Sequence, residues 1–79
     1  MDVLEAKKIA EKEYTKNKCN NIVYGYDKYV VVGENGMAVL TPDKKAAEEC
    51  APDNCYIFHC QIASGNVIVE FYKSKKIAK

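Results

Sequence analysis

Along residues 55–73, the run CYIFHCQIASGNVIVEFYK alternates its side chains over two stretches joined at Ser64-Gly65. A period of two predicts strands, and a tight Gly-containing turn between them predicts a hairpin. On the first stretch Tyr56, Phe58, Cys60 and Ile62 share one side, and Cys55, Ile57, His59 and Gln61 share the other. On the second, Val67, Val69 and Phe71 oppose Ile68, Glu70 and Tyr72. The first set of each strand is the better core.

The preceding residues supply the other elements. Residues 2–17 predict an amphipathic helix, with Val3, Ala6, Ala10 and Tyr14 on one stripe, Leu4 and Ile9 at its edges, and Lys7, Lys8, Glu11 and Lys12 mostly facing out. Asp2 stands where an N-cap belongs, and Glu5 completes a capping box. Residues 22–33, IVYGYDKYVVVG, are β-branched and aromatic and predict a strand, with Gly25 or Asp27 at a bend or bulge. Asn35-Gly36 is the strongest short hairpin signal in the chain, and residues 37–40 read as the returning strand. Thr41 then reads as a cap and Pro42 as the first position of a short helix over 42–50. Ala46, Ala47 and Cys50 form its expected inner face, small enough to lie close to a sheet. The Lys-rich tail, 74–79, is expected to fray.

The order is helix, hairpin, helix, hairpin. It predicts one α+β domain over residues 1–79, with a four-stranded, mainly antiparallel sheet and both helices packed on one face. That arrangement leaves the other face open, carrying Ile57, His59, Ile68, Glu70 and Tyr72. The first strand would add either Tyr24 and Tyr26 or Val23 and Tyr29. Such a face is more apolar than solvent requires, and contiguous apolar patches on small proteins mark interfaces.

Composition narrows the classes. The chain has 79 residues, 48% hydrophobic and 29% charged, an ordinary globular balance. Its twelve cationic residues are all lysine, against eleven acids, for a net charge of +1. A near-neutral chain without arginine is poorly suited to gripping phosphates as its main task. The first residues alternate charges and apolar positions and lack the apolar core of a signal peptide, so a cytoplasmic location, with reduced thiols, is expected. The lysine, asparagine, isoleucine and tyrosine usage suits an AT-rich genome, such as that of a low-GC bacterium or its mobile elements.

The candidate chemistry is thin. Cys50, Cys55 and Cys60 are evenly spaced with His59 beside the last, which invites a zinc reading. Alternation puts Cys60 on the side opposite Cys55 and His59, and the latter two lie roughly 13 Å apart along a strand, beyond shared ligation or a nucleophile–base pair. A small buried thiol is the simpler reading of Cys50 and Cys60, and a Cys50–Cys55 disulfide would need an oxidising compartment. No phosphate-binding glycine loop is present. The expectation is therefore no catalytic residue, no metal and no cofactor.

The opening DVLEAKKIAEKEY resembles the first helix of many small bacterial α+β proteins. The function expected from the residues is a non-enzymatic protein-binding module, such as a phage or mobile-element inhibitor of a host protein or an immunity-type protein, with a homodimer also compatible. The alternative is a single-stranded nucleic-acid binder that stacks bases on sheet tyrosines and uses Lys73, Lys75, Lys76 and Lys79 for phosphates.

Overall fold

A computed structural model describes residues 1–18 and 27–75. Helix α1 spans Val3–Lys18, strand β1 Lys28–Gly33, strand β2 Ala38–Thr41, helix α2 Lys44–Cys50, strand β3 Cys55–Ala63 and strand β4 Asn66–Lys75. The four strands form one antiparallel sheet in the order β2-β1-β3-β4. Two hairpins are thus joined by a single ladder, in which Val30 faces Phe58 and Val31 faces Ile57.

Local chemistry sets the ends of each element. Asp2 Oδ1 accepts from the Glu5 amide at 2.9 Å, and Glu5 Oε1 accepts from the Asp2 amide at 3.3 Å, the reciprocal capping box. The first hairpin turns through Gly36 at φ +90°, a left-handed conformation that glycine adopts without strain. It closes with a 2.8 Å bond from the Gly33 amide to the Met37 carbonyl. The second turns through Ser64 and Gly65, both at positive φ (51° and 79°), the pattern of the primed turns that match strand twist.

The start of α2 differs from the expectation. Asp43, not Thr41, is its cap: Asp43 Oδ1 accepts from the Ala46 amide at 2.8 Å. Thr41 instead closes β2 opposite Tyr29, and its hydroxyl donates to the Tyr29 carbonyl at 2.7 Å. The strand ladder has claimed the residue that the helix was expected to use. The tail also departs from expectation at its first two residues, because β4 stays paired with β3 through Ser74 and Lys75. Residues 76–79 lie outside the described residues, as do Val23, Tyr24, Gly25 and Tyr26.

The helices lie on opposite faces of the sheet, not on one. α1 packs Ala6, Ala10 and Tyr14 against Val30, Val32, Phe58, Cys60 and Val69. α2 packs Ala47, with Ala51 beyond its end, against Val31, Cys55 and Ile57. The cause is topological. β2 and β3 both run antiparallel to β1, which lies between them, so the β2–α2–β3 connection must cross over β1. It does so on the side away from α1. Val30, Val31 and Val32 are therefore all buried, two beneath α1 and one beneath α2.

The helical stripes are shorter than expected. Val3 and Leu4 stay exposed, so the buried stripe of α1 begins at Ala6. Cys50 is exposed at the end of α2, and Ala47 carries the contact alone among the helix's buried residues.

Candidate functional site

Among the described residues, the second sheet face divides into a part covered by α2 and a part without a helix over it. Ile57 belongs to the covered part: it is 1% exposed, held between Val31, Ala47 and Ala51. It is thus a core residue, which corrects its expected place on an open surface. Further along the same face lie Tyr29, His59, Gln61, Ile68 and Tyr72, all half-buried, with Glu70 exposed. Of the first-strand pairs considered, Tyr29 is on this face; Tyr24, Tyr26 and Val23 lie outside the described residues.

β1 and β3 bring the rings together. Tyr29 pairs with His59 across the ladder, and the ring centroids are 4.9 Å apart with planes tilted by 31°. Tyr72 meets Tyr29 edge-on at 5.5 Å. This spans two strand spacings, because Tyr72 is on β4 and β3 lies between. A β-bulge makes it geometrically feasible. Phe58 faces Phe71 while Ile57 faces Lys73, which leaves Tyr72 as the extra residue of β4. Both Tyr72 and Lys73 then turn toward α2. The Tyr72 hydroxyl donates to Glu48 Oε2 at 2.6 Å, and Lys73 Nζ lies 3.9 Å from the same oxygen. Lys44 and Lys73 stand 5.2 and 5.9 Å from the Tyr72 ring centroid, within cation–π range.

Carboxylates flank the imidazole. His59 Nε2 is 3.1 Å from Asp27 Oδ1, and Nδ1 is 4.0 Å from Glu70 Oε1. A neutral imidazole has one N–H to offer, so it satisfies at most one of these acids at a time. Both acids are largely open to solvent, with side chains 72% and 66% exposed. The open part of the face is aromatic at its centre and acidic at its rim. On its far side, between α2 and the end of β4, a groove of about 450 Å³ is lined by Glu48, Ala51, Ile57, Lys73, Ser74 and Lys75.

Among the described residues, the buried thiols of Cys55 and Cys60 stay away from this imidazole. Cys60 belongs to the α1 side, and burial, with the Glu11 charge second, pushes its thiol up to about 12. Cys55 is under α2 and is likewise raised by burial, which outweighs the opposing Lys75 charge. A buried thiol with a raised pKa is a poor nucleophile. Cys50, Cys55 and Cys60 are all free thiols. Among the described residues, no group of three or more His, Cys, Asp or Glu side chains is disposed to hold a metal ion. His59 has its two acids on opposite nitrogens, so they do not converge on one point. No helix among the described residues is long and apolar enough to cross a membrane.

Of the lysines considered for phosphate contact, Lys73 sits beside Glu48, and Lys75 Nζ donates to the Ala51 carbonyl at 3.0 Å. Lys76 and Lys79 lie outside the described residues. Sequence reasoning missed Glu48 and Lys44 as parts of the Tyr72 surroundings, because a bulge cannot be placed from alternation alone. No protein-family model, curated protein or solved structure matches this chain.

Proposed function

We propose that the chain is a non-enzymatic protein-binding module that occupies a partner's surface with the part of the second sheet face left uncovered by α2. The observation that carries this reading is the contact of Tyr29 with both His59 and Tyr72, half-buried at the margin of α2 on a stretch of sheet that no other described element covers, beside Ile68 and between the exposed acids Asp27 and Glu70. Half-buried aromatics bring large contact area with little ordering cost, and a charged rim sets orientation. The mode of action suits an inhibitor or immunity-type protein, which works by covering a surface.

Chemical cross-linking in native host extract, with the wild type and three variants, tests the reading. A partner captured by the wild type and by Leu4→Asp, but lost with Ile68→Asp and Tyr29→Ala, supports it. A partner retained by both face variants, with their circular dichroism unchanged, overturns it. The single-strand reading is the weaker one. Asp27 and Glu70 place negative charge beside the rings on which bases would stack, and the nearest lysines are engaged within the chain. Titration of labelled single-stranded DNA and RNA at about 50 mM salt, where phosphate contacts are strongest, decides it: no binding removes that class.

A further inference from the structure

The two edges of the sheet are unequal. β2 is four residues long, and β4 is ten. Among the described residues, no strand pairs with the outer side of β4. Exposed edges are normally blunted by lysine, proline, a bulge or shortness. β4 carries such devices only near its end, in the bulge at Tyr72 and in Lys73 and Lys75. Residues 66–71, NVIVEF, alternate regularly, hold one charge and contain neither proline nor glycine. Phe71 at the end of this segment meets Phe58 at 5.8 Å and Tyr56 at 6.4 Å on the core side, yet is 50% exposed.

We propose that β4 is a dimer interface: two copies pair edge to edge and antiparallel, about a twofold axis through Val69, making one continuous eight-stranded sheet. The register follows from which residues each axis sets opposite one another. About Val69, Phe71 lies beside Val67 of the second copy, Val69 beside Val69, and Ile68 beside Glu70. Antiparallel partners share a sheet face, and these pairs do: Val67, Val69 and Phe71 face the α1 side, while Ile68 and Glu70 face the other. Each exposed Phe71 is covered by an aliphatic side chain, and Lys73 falls opposite Gly65, so no like charges stand directly opposite one another. An axis through Glu70 would set carboxylate against carboxylate. An axis through Ile68 would set Phe71 opposite Gly65 and leave it bare. The paired segment, 66 facing 72 through 72 facing 66, is about 23 Å long at ~3.3 Å per residue. An edge contact of that length falls at the low end of specific interfaces, about 1,200 Å² or less, so the dimer is expected to be a weak, exchanging one. Dimerisation also brings the two uncovered faces side by side across the axis.

Sedimentation velocity on the full chain, from about 1 to about 500 µM, spans the range of weak association. The wild type and Val39→Lys, altered on the β2 edge, are expected to pass from monomer to dimer. Ile68→Glu, which sets a carboxylate opposite Glu70 of the second copy, and Phe71→Lys are expected to remain monomeric throughout, and Ile68→Glu keeps the test valid should Phe71→Lys fail to fold. In a background with Cys19 and Cys50 replaced by serine, mild oxidation is expected to cross-link the Ile68→Cys, Glu70→Cys double variant between copies and neither single variant. A wild type that stays monomeric, a dimer that survives Ile68→Glu, or a cross-link in Glu70→Cys alone would overturn the proposal. Tyr29→Ala, away from the edge, is expected to leave the dimer intact, which separates this result from the partner test above.

Discussion

The Tyr72 hydroxyl donates to Glu48 Oε2 across 2.6 Å, fastening the far edge strand to the crossover helix. The bond favours the protonated phenol and, ahead of desolvation and the Glu48 charge, pushes its pKa up from 10.0 to about 12. A raised acid pKa means that the fold holds this proton more tightly than the unfolded chain does. The resulting stabilisation is whole below pH 10.0 and is lost as pH rises through about 12. NMR of ring-labelled tyrosine, with Tyr72→Phe assigning the resonance, is expected to show Tyr72 ionising late. Ionisation of Tyr72 near the ordinary value would contradict the geometry.

Thiol reactivity should sort by position. Cys50 is exposed, whereas Cys55 and Cys60 are buried with raised pKa values. In a Cys19→Ser variant at mildly alkaline pH, one thiol is expected to react with a disulfide reagent at once and two only on unfolding. Mass spectrometry should place the early adduct on Cys50.

The division of the second face makes Ile57 and Ile68 unequal. Ile57→Asp buries a carboxylate under α2 and is expected to cost more than about 4 kcal/mol, enough to unfold a small domain. Ile68→Asp is expected to cost about 1 kcal/mol, because its site is half open to water. Urea denaturation followed by circular dichroism measures both. Equal losses would mean that α2 does not roof one end only.

The Asp43 cap is the main local support for a seven-residue helix. Asp43→Ala is expected to lower stability by about 1 kcal/mol, and Asp43→Asn by less. Thr41→Val tests a different bond, the one from the Thr41 hydroxyl to the Tyr29 carbonyl. It is expected to loosen the β1–β2 ladder near Tyr29, read as faster amide exchange there than in β3.

Alternation and turn chemistry were enough to place both hairpins and to sort β3 and β4 into sides, since Phe58 and Cys60 do face one way and Ile57 and His59 the other. The placement of the helices was not extracted from the pattern, though a clue was present. Tyr29, Val30, Val31 and Val32 form an unbroken apolar run, which is the signature of a strand covered on both sides. Reading it so would have put one helix on each face and Ile57 inside. The bulge at Tyr72 left no such trace. It depends on how β4 meets β3, and a period-two pattern shows no break at FYK. The company of Tyr72, Glu48 and Lys44 was therefore invisible before the fold.

The strand order has a consequence for how the chain is made. β1 has its sequence neighbour on one side only; its other neighbour, β3, arrives after the crossover. The first half of the chain emerges from the ribosome with Val30 and Val32 on one side and Val31 on the other, all lacking the C-terminal hairpin against which they lie. α1 waits for the same hairpin, since Phe58, Cys60 and Val69 complete its seat. Closure of the molecule is thus deferred until the last strand is synthesised, and a truncated translation product would be left holding sticky, unfinished β-structure for chaperones or proteases to clear.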